Sequence, residues 1–201
     1  VTVSARGIAL VVGAIAAINA RIATIGGELD AADRVLGDGD TGITVTQVVT
    51  AWQAASASLP ADVGDALLAL GRATGRATGS SLGSVLALGL AAAGREARGR
   101  ASLAPAEVAQ LLATAVIAIC GRSGAAIGDK SVIDALACVG DRLAIIEPSG
   151  ATPLDVASLA AKDALAQFRA RESKLGRARM YGAKSIGYAD PGMLAVVLLL
   201  D

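Results

Sequence analysis

Apolar side chains recur at three- and four-residue spacing along most of the chain, and no run alternates convincingly with period two. In residues 4–25 the pattern falls on Ile8, Val11, Val12, Ile15, Ile18, Ile22 and Ile25. That spacing lines one side of a helix, whereas a half-buried strand needs strict alternation. An all-α fold is therefore expected. Further helices are predicted over 41–58, 62–75, 80–97, 105–120, 132–145 and 153–173, with a last one from Pro191, about eight in all. Start signals support these bounds. Ser80 and Ser81 follow Gly79, Pro105 suits a first turn, Ser131 is placed to cap, and Thr152 precedes Pro153.

Only 2% of the residues are aromatic, so the core must be built from Ala, Leu, Val and Ile, whose small side chains let helices approach closely. Trp52 reads as a core residue on an amphipathic helix. No stretch reads as a linker, and a single domain over residues 1–201 is expected. The 18 basic and 18 acidic residues cancel, which argues against general nucleic-acid affinity. The chain has no histidine, which excludes a Ser-His-Asp triad, a Cys-His dyad and any His-ligated zinc. A metal here must be held by oxygen. Cys120 and Cys138 lack ligand spacing and read as small buried apolar residues.

No membrane span is expected. The uncharged run between Arg76 and Arg95 opens with the polar ATGSSLGS, and the terminal MLAVVLLL is short of the roughly 20 residues a bilayer needs. The stretch IALVVGAIAAI has the composition of a signal-peptide core. However, the sequence opens at Val1, and the apolar pattern continues past Arg21 to Ile25. A buried first helix in a cytoplasmic protein is the expectation.

Against this greasy background, 33-DRVLGDGDTG-42 gathers Asp33, Asp38 and Asp40 among glycines that let the backbone fold back. Three nearby carboxylates repel one another unless a cation neutralises them, and hard oxygen donors suit Mg2+ or Ca2+. An EF-hand fails, because counting from Asp38 puts Gly42 at position 5 and Val49 at position 12. Thr41, Gly42, Ile43 and Thr44 open the next helix, whose free N–H groups and two hydroxyls suit a phosphate. A solvated turn with helix-capping aspartates fits the same composition, so these residues alone leave both readings open. Three other polar, glycine-bearing loops, TGSS at 78–81, SGAAIGDKS at 123–131 and GAKSIGYADPG at 182–192, would share one end of an antiparallel bundle with the acidic loop.

Taken in order, DRVLGDGDTG, TGSSLGS, GDKSVIDAL and GRARMYGAKSIGYADPG resemble the nucleotide-binding L subunit, or L domain, of dihydroxyacetone kinases. The resemblance covers residues from about 30 to 192. It implies a barrel of eight antiparallel amphipathic helices, with ADP or ATP held at one end through two Mg2+ ions. It assigns the metal carboxylates to Asp33, Asp38 and Asp40 and leaves Asp30 out of register. Nucleotide contacts map to Thr41, Gly42, Ile43, Thr44, Gly79, Ser80, Ser81, Gly124, Gly128, Val132, Arg177, Asp190, Pro191 and Gly192. Without the resemblance, Asp129 and Lys130 read as a surface ion pair, and Arg177 and Arg179 as part of a solvated basic segment.

The implied function is phosphoryl transfer to a small hydroxyketone that a K-type partner subunit or domain binds through a histidine. This chain has no histidine with which to do so itself. The donor is free ATP or a phosphotransferase-system protein, and a homodimer is compatible with either. The chain departs from the family pattern at Thr41, Thr44, Val132 and Tyr188, and its DGDTG also resembles the related domain of fatty-acid kinases. A tetrulose or fatty-acid acceptor, or a regulatory module without turnover, therefore stands as the alternative. The short final helix fits a chain trimmed from a longer kinase.

Overall fold

The structure, a computed structural model, describes residues 4–146 and 151–201, with side chains from Gly7 onward. Among the described residues there are eight α-helices, α1 (Ser4–Asp33), α2 (Thr41–Ser56), α3 (Val63–Ala77), α4 (Ser81–Glu96), α5 (Pro105–Ser123), α6 (Val132–Ala144), α7 (Pro153–Phe168) and α8 (Pro191–Leu200). A 3-10 segment, Ala178–Ser185, is broken at Gly182. Among the described residues there is no strand.

Several helices start where a side chain can satisfy one of their first N–H groups. Asp62 accepts from Asp65 N at 2.8 Å, Ser80 from Gly83 N at 3.0 Å, and Asp190 from Met193 N at 2.8 Å. Ser131 and Asp134 close a reciprocal box at the head of α6. Each helix packs on the next, and α8 packs back on α1, closing the ring. Short connections make neighbours antiparallel. The α1–α2, α3–α4, α5–α6 and α7–α8 connections consequently share one end.

The interior is aliphatic, as expected. Ile25, Leu29, Val45, Val49 and Ala195 form one buried cluster, and Ala109, Val139, Leu143, Ala157, Ala160, Ala161 and Val197 another. Trp52 lies at the edge of the first, with its indole N–H donated to the buried Thr74 hydroxyl at 2.9 Å. Cys120 and Cys138 are half-buried rather than buried.

Two expectations need correcting. First, the opening helix is not buried throughout. Between Gly7 and Thr24 only Ile15 is buried, and Leu10 is 76% exposed. At 30 residues α1 outruns α2 (16 residues) and α8 (10 residues), so neither covers its whole length. Contrary to the expectation of no such span, Gly7–Asp33 and Pro105–Ser123 are long and apolar enough to cross a membrane by length and composition. In the structure both are staves of the barrel.

Second, α1 continues past the predicted stop at residue 25 to Asp33, through Gly26 and Gly27. The pair does not break the helix, because Gly26 serves a close approach. A β-carbon on Gly42 would fall 1.9 Å from Gly26 O, so the two glycines let α1 and α2 touch backbone to backbone. Gly42→Ala is therefore expected to prise the pair apart and cost about 1–3 kcal/mol. Chemical denaturation should show this as a lower midpoint with an unchanged slope.

Candidate functional site

Extending α1 places Asp30 and Asp33 on its last turn, facing the start of α2. Asp33 is buried, and its Oδ2 accepts from Gly39 N at 3.0 Å, Asp40 N at 3.0 Å and Thr41 N at 3.3 Å. This wraps the loop around one carboxylate. Gly39 makes the turn possible with φ 76°, in the region open to glycine. Asp30 Oδ1 accepts from Gly42 N at 2.7 Å and Ile43 N at 3.3 Å, and so caps α2.

Asp33, Asp38 and Asp40 come together. One carboxylate oxygen from each lies within 4.8 Å of the others, with Asp33 buried and the other two exposed. Three hard anionic donors on one side of an ion leave its remaining positions to water or phosphate, a donor set that fits Mg2+. Arg177, from the α7–α8 connection, forms an ion pair with Asp38.

The expectation of free N–H groups at the head of α2 is not met. Asp33 and Asp30 already occupy the N–H groups of Thr41, Gly42 and Ile43. Thr44 is buried, and the half-buried Thr41 carries the more open hydroxyl. Open donors lie instead at the head of α4. There Ser80 caps Gly83, and the N–H groups of Ser81 and Leu82 have no acceptor among the described residues. Leu82 packs against both the cluster of Ile25, Leu29, Val45, Val49 and Ala195 and the cluster of Val116, Ile119, Ala125, Val132 and Ile133, which ties this turn to the α2 and α6 sides of the core.

The remaining sequence-predicted residues occupy the same end. Gly124 ends α5 with φ 72°, and Gly128 donates to Asp134 in the loop before Val132. A β-carbon on Gly192 would lie 3.2 Å from Val132 Cβ, so the heads of α6 and α8 abut. Pro191 occupies the first turn of α8 behind Asp190. Among the described residues no hydrogen bond or ion pair joins Gly79, Ser80, Ser81, Gly124, Gly128, Val132 or Gly192 to the acidic loop.

Three residues here exceed their sequence readings. Asp30 as a cap twelve residues distant leaves no local signal. Asp134 was legible, because Ser131 followed three residues later by an acid is a capping-box spacing. Lys130 is no surface partner of Asp129. It is 1% exposed, and burial lowers its ammonium's pKa against the opposing pull of Asp190.

Asp190 itself is pushed up to about 6 by burial, with the Met193 and Gly192 N–H groups and Lys130 pulling the other way. The unfolded carboxyl ionises near 4, so between about pH 4 and 6 ionisation favours the unfolded chain. Wild-type stability should fall over that window and level off above it. Asp190→Asn keeps the cap acceptor and should flatten the profile by up to about 3 kcal/mol, discounted for the side chain's partial solvent contact. Melting curves at stepped pH check this.

A family model described as DAK2 domain matches residues 35–201, a span that holds Asp38 and Asp40 and begins just after Asp33. No curated protein matches the chain. Among solved structures, the dihydroxyacetone kinase of C. freundii in its native form superposes with a TM-score of 0.75 at 23% identity, covering 96% of this chain and 33% of that one. The same kinase in complex with AMP-PNP and Mg2+ gives 0.73 at 24%, with the same coverage. The chain thus spans 33% of the length of these kinases, and the likeness establishes the barrel.

Proposed function

This chain belongs to the DAK2 domain family, and on that premise we propose that it is the nucleotide-binding unit of a dihydroxyacetone-type kinase. In this reading residues 1–201 form one domain that holds ADP or ATP with two Mg2+ ions at the loop end of the barrel. The observation that carries the reading is the convergence of Asp33, Asp38 and Asp40 within 4.8 Å on a loop the fold itself secures.

Asp38 and Asp40, the exposed members, are the ligands offered to metal, while Asp33 holds the loop in shape and completes the set. Bound there, Mg2+ supplies the positive charge that offsets the phosphate oxygens as the terminal phosphoryl departs. The open N–H groups of Ser81 and Leu82 meet phosphate oxygens at a helix N-terminus. Arg177 spans from Asp38 toward the same phosphates, and Thr41 adds a hydroxyl. Gly124 and Val132 lie near the adenine in this reading, with Gly192 packed against Val132.

The acceptor sits elsewhere. With no histidine, the chain depends on a K-type partner subunit or domain to hold the hydroxyketone. Such a reaction belongs in the cytoplasm. Incubation with Mg2+–ATP, dihydroxyacetone and a K-type partner should yield the sugar phosphate by phosphorus NMR, and omission of either protein should abolish it. Product without the partner, or none with it, contradicts the reading. ADP retained through purification would point to the mode in which bound ADP is rephosphorylated by a phosphotransferase-system protein, and an empty site to exchange with free ATP.

A further inference from the structure

The α7–α8 connection is an arch, and one buried ammonium joins its two feet. Lys130 Nζ donates to Arg171 O at 2.9 Å and to Ser185 O at 2.8 Å, while the side chain is 1% exposed. Neighbouring bonds fasten the same feet. Ser173 N donates to Ser185 Oγ at 2.8 Å, Lys174 N to Asp129 O at 3.0 Å, and Gly187 N to Arg169 O at 2.7 Å. Between the feet the arch carries Arg177, whose guanidinium pairs with Asp38.

Several features set Lys130 apart from a residue that merely fills space. Its backbone φ is 61°, a conformation that residues with a β-carbon rarely adopt, and Lys130 is the only non-glycine found there among the described residues. A buried charge must be hydrogen-bonded and paired, and its partners here are two main-chain carbonyls and the Asp190 carboxylate nearby. An ammonium donates three bonds from one atom, which suits it to tie together carbonyls on separate segments.

We propose that Lys130 is a positioning residue: it clamps both feet of the arch and so holds Arg177 across the mouth of the acidic loop, without touching nucleotide itself. The clamp stands on geometry alone, and its consequence for nucleotide rests on the kinase reading.

Hydrogen exchange on the ligand-free chain tests the clamp. In Lys130→Met, amides from 172 to 187 should exchange about tenfold faster while protection in α1–α5 stays as in wild type. An equal rise throughout the barrel, or no change in the arch, overturns the proposal. If Lys130→Met does not fold, Lys130→Gln is read on the same segment with the same expectation.

Titration with Mg2+–ADP tests the consequence. Lys130→Met and Arg177→Ala should each weaken binding by about tenfold, and the double variant should be no weaker than Arg177→Ala alone. Losses that multiply mean Lys130 acts by another route, which also overturns the proposal. A wild-type chain that fails to bind Mg2+–ADP would count against the kinase reading and leave the exchange result standing.

Discussion

Asp38→Ala and Asp40→Ala are each expected to weaken Mg2+-dependent ADP binding by about 100-fold, or roughly 2.7 kcal/mol, with the helical circular dichroism unchanged. Both carboxylates are exposed and point at a shared centre. Each supplies a full negative charge and an oxygen to any ion there, and neither supports the main chain through its side chain. Removing one relieves repulsion within the trio, so stability should not fall. The Arg177–Asp38 pair is too open to solvent for its loss to matter much to folding. Isothermal titration with and without Mg2+ reads the binding change. Unchanged affinity in both variants would show that the cluster is only a turn.

Asp33→Ala should behave differently, losing stability as well as binding. Its buried Oδ2 gathers three N–H groups from Gly39, Asp40 and Thr41. Truncation leaves those donors without an acceptor in a partly buried loop and unravels the shape that presents Asp38 and Asp40. Hydrogen bonds to a charged group contribute more than neutral ones, and the combined loss should be about 3 kcal/mol, lowering the melting temperature by roughly 6–12 °C. Asp33→Asn keeps an acceptor oxygen but not the charge, and should fall between. The contrast separates the aspartate that builds the loop from the two that face outward. Equal stability losses at all three positions would contradict that division.

Much of this was legible in the sequence for physical reasons. Helical periodicity, with start signals at Ser80, Pro105, Ser131 and Thr152, depends on local chemistry, and the helices start at or within one residue of the predicted positions. The acidic trio was legible because charge bunched among glycines in an apolar chain has few uses. What escaped depends on contacts between distant segments. The apolar pattern of the first helix ends at Ile25, and nothing local shows that α2 will press against Gly26 and that the helix runs on to Asp33. The donors at the head of α2 read as free because Asp30 and Asp33 cap them across a connection rather than from the preceding residue. Lys130 read as surface because only the folded arch supplies its two carbonyls. The 3-10 segment has no apolar period to announce it.

The most direct test is a crystal of the chain grown with ADP and Mn2+ in place of Mg2+, so that anomalous scattering locates the ion. The expected result is manganese within about 2.2 Å of carboxylate oxygens of Asp33, Asp38 and Asp40, and in contact with the ADP phosphates. Anomalous density elsewhere, or none while the three side chains turn away into solvent, would contradict the account.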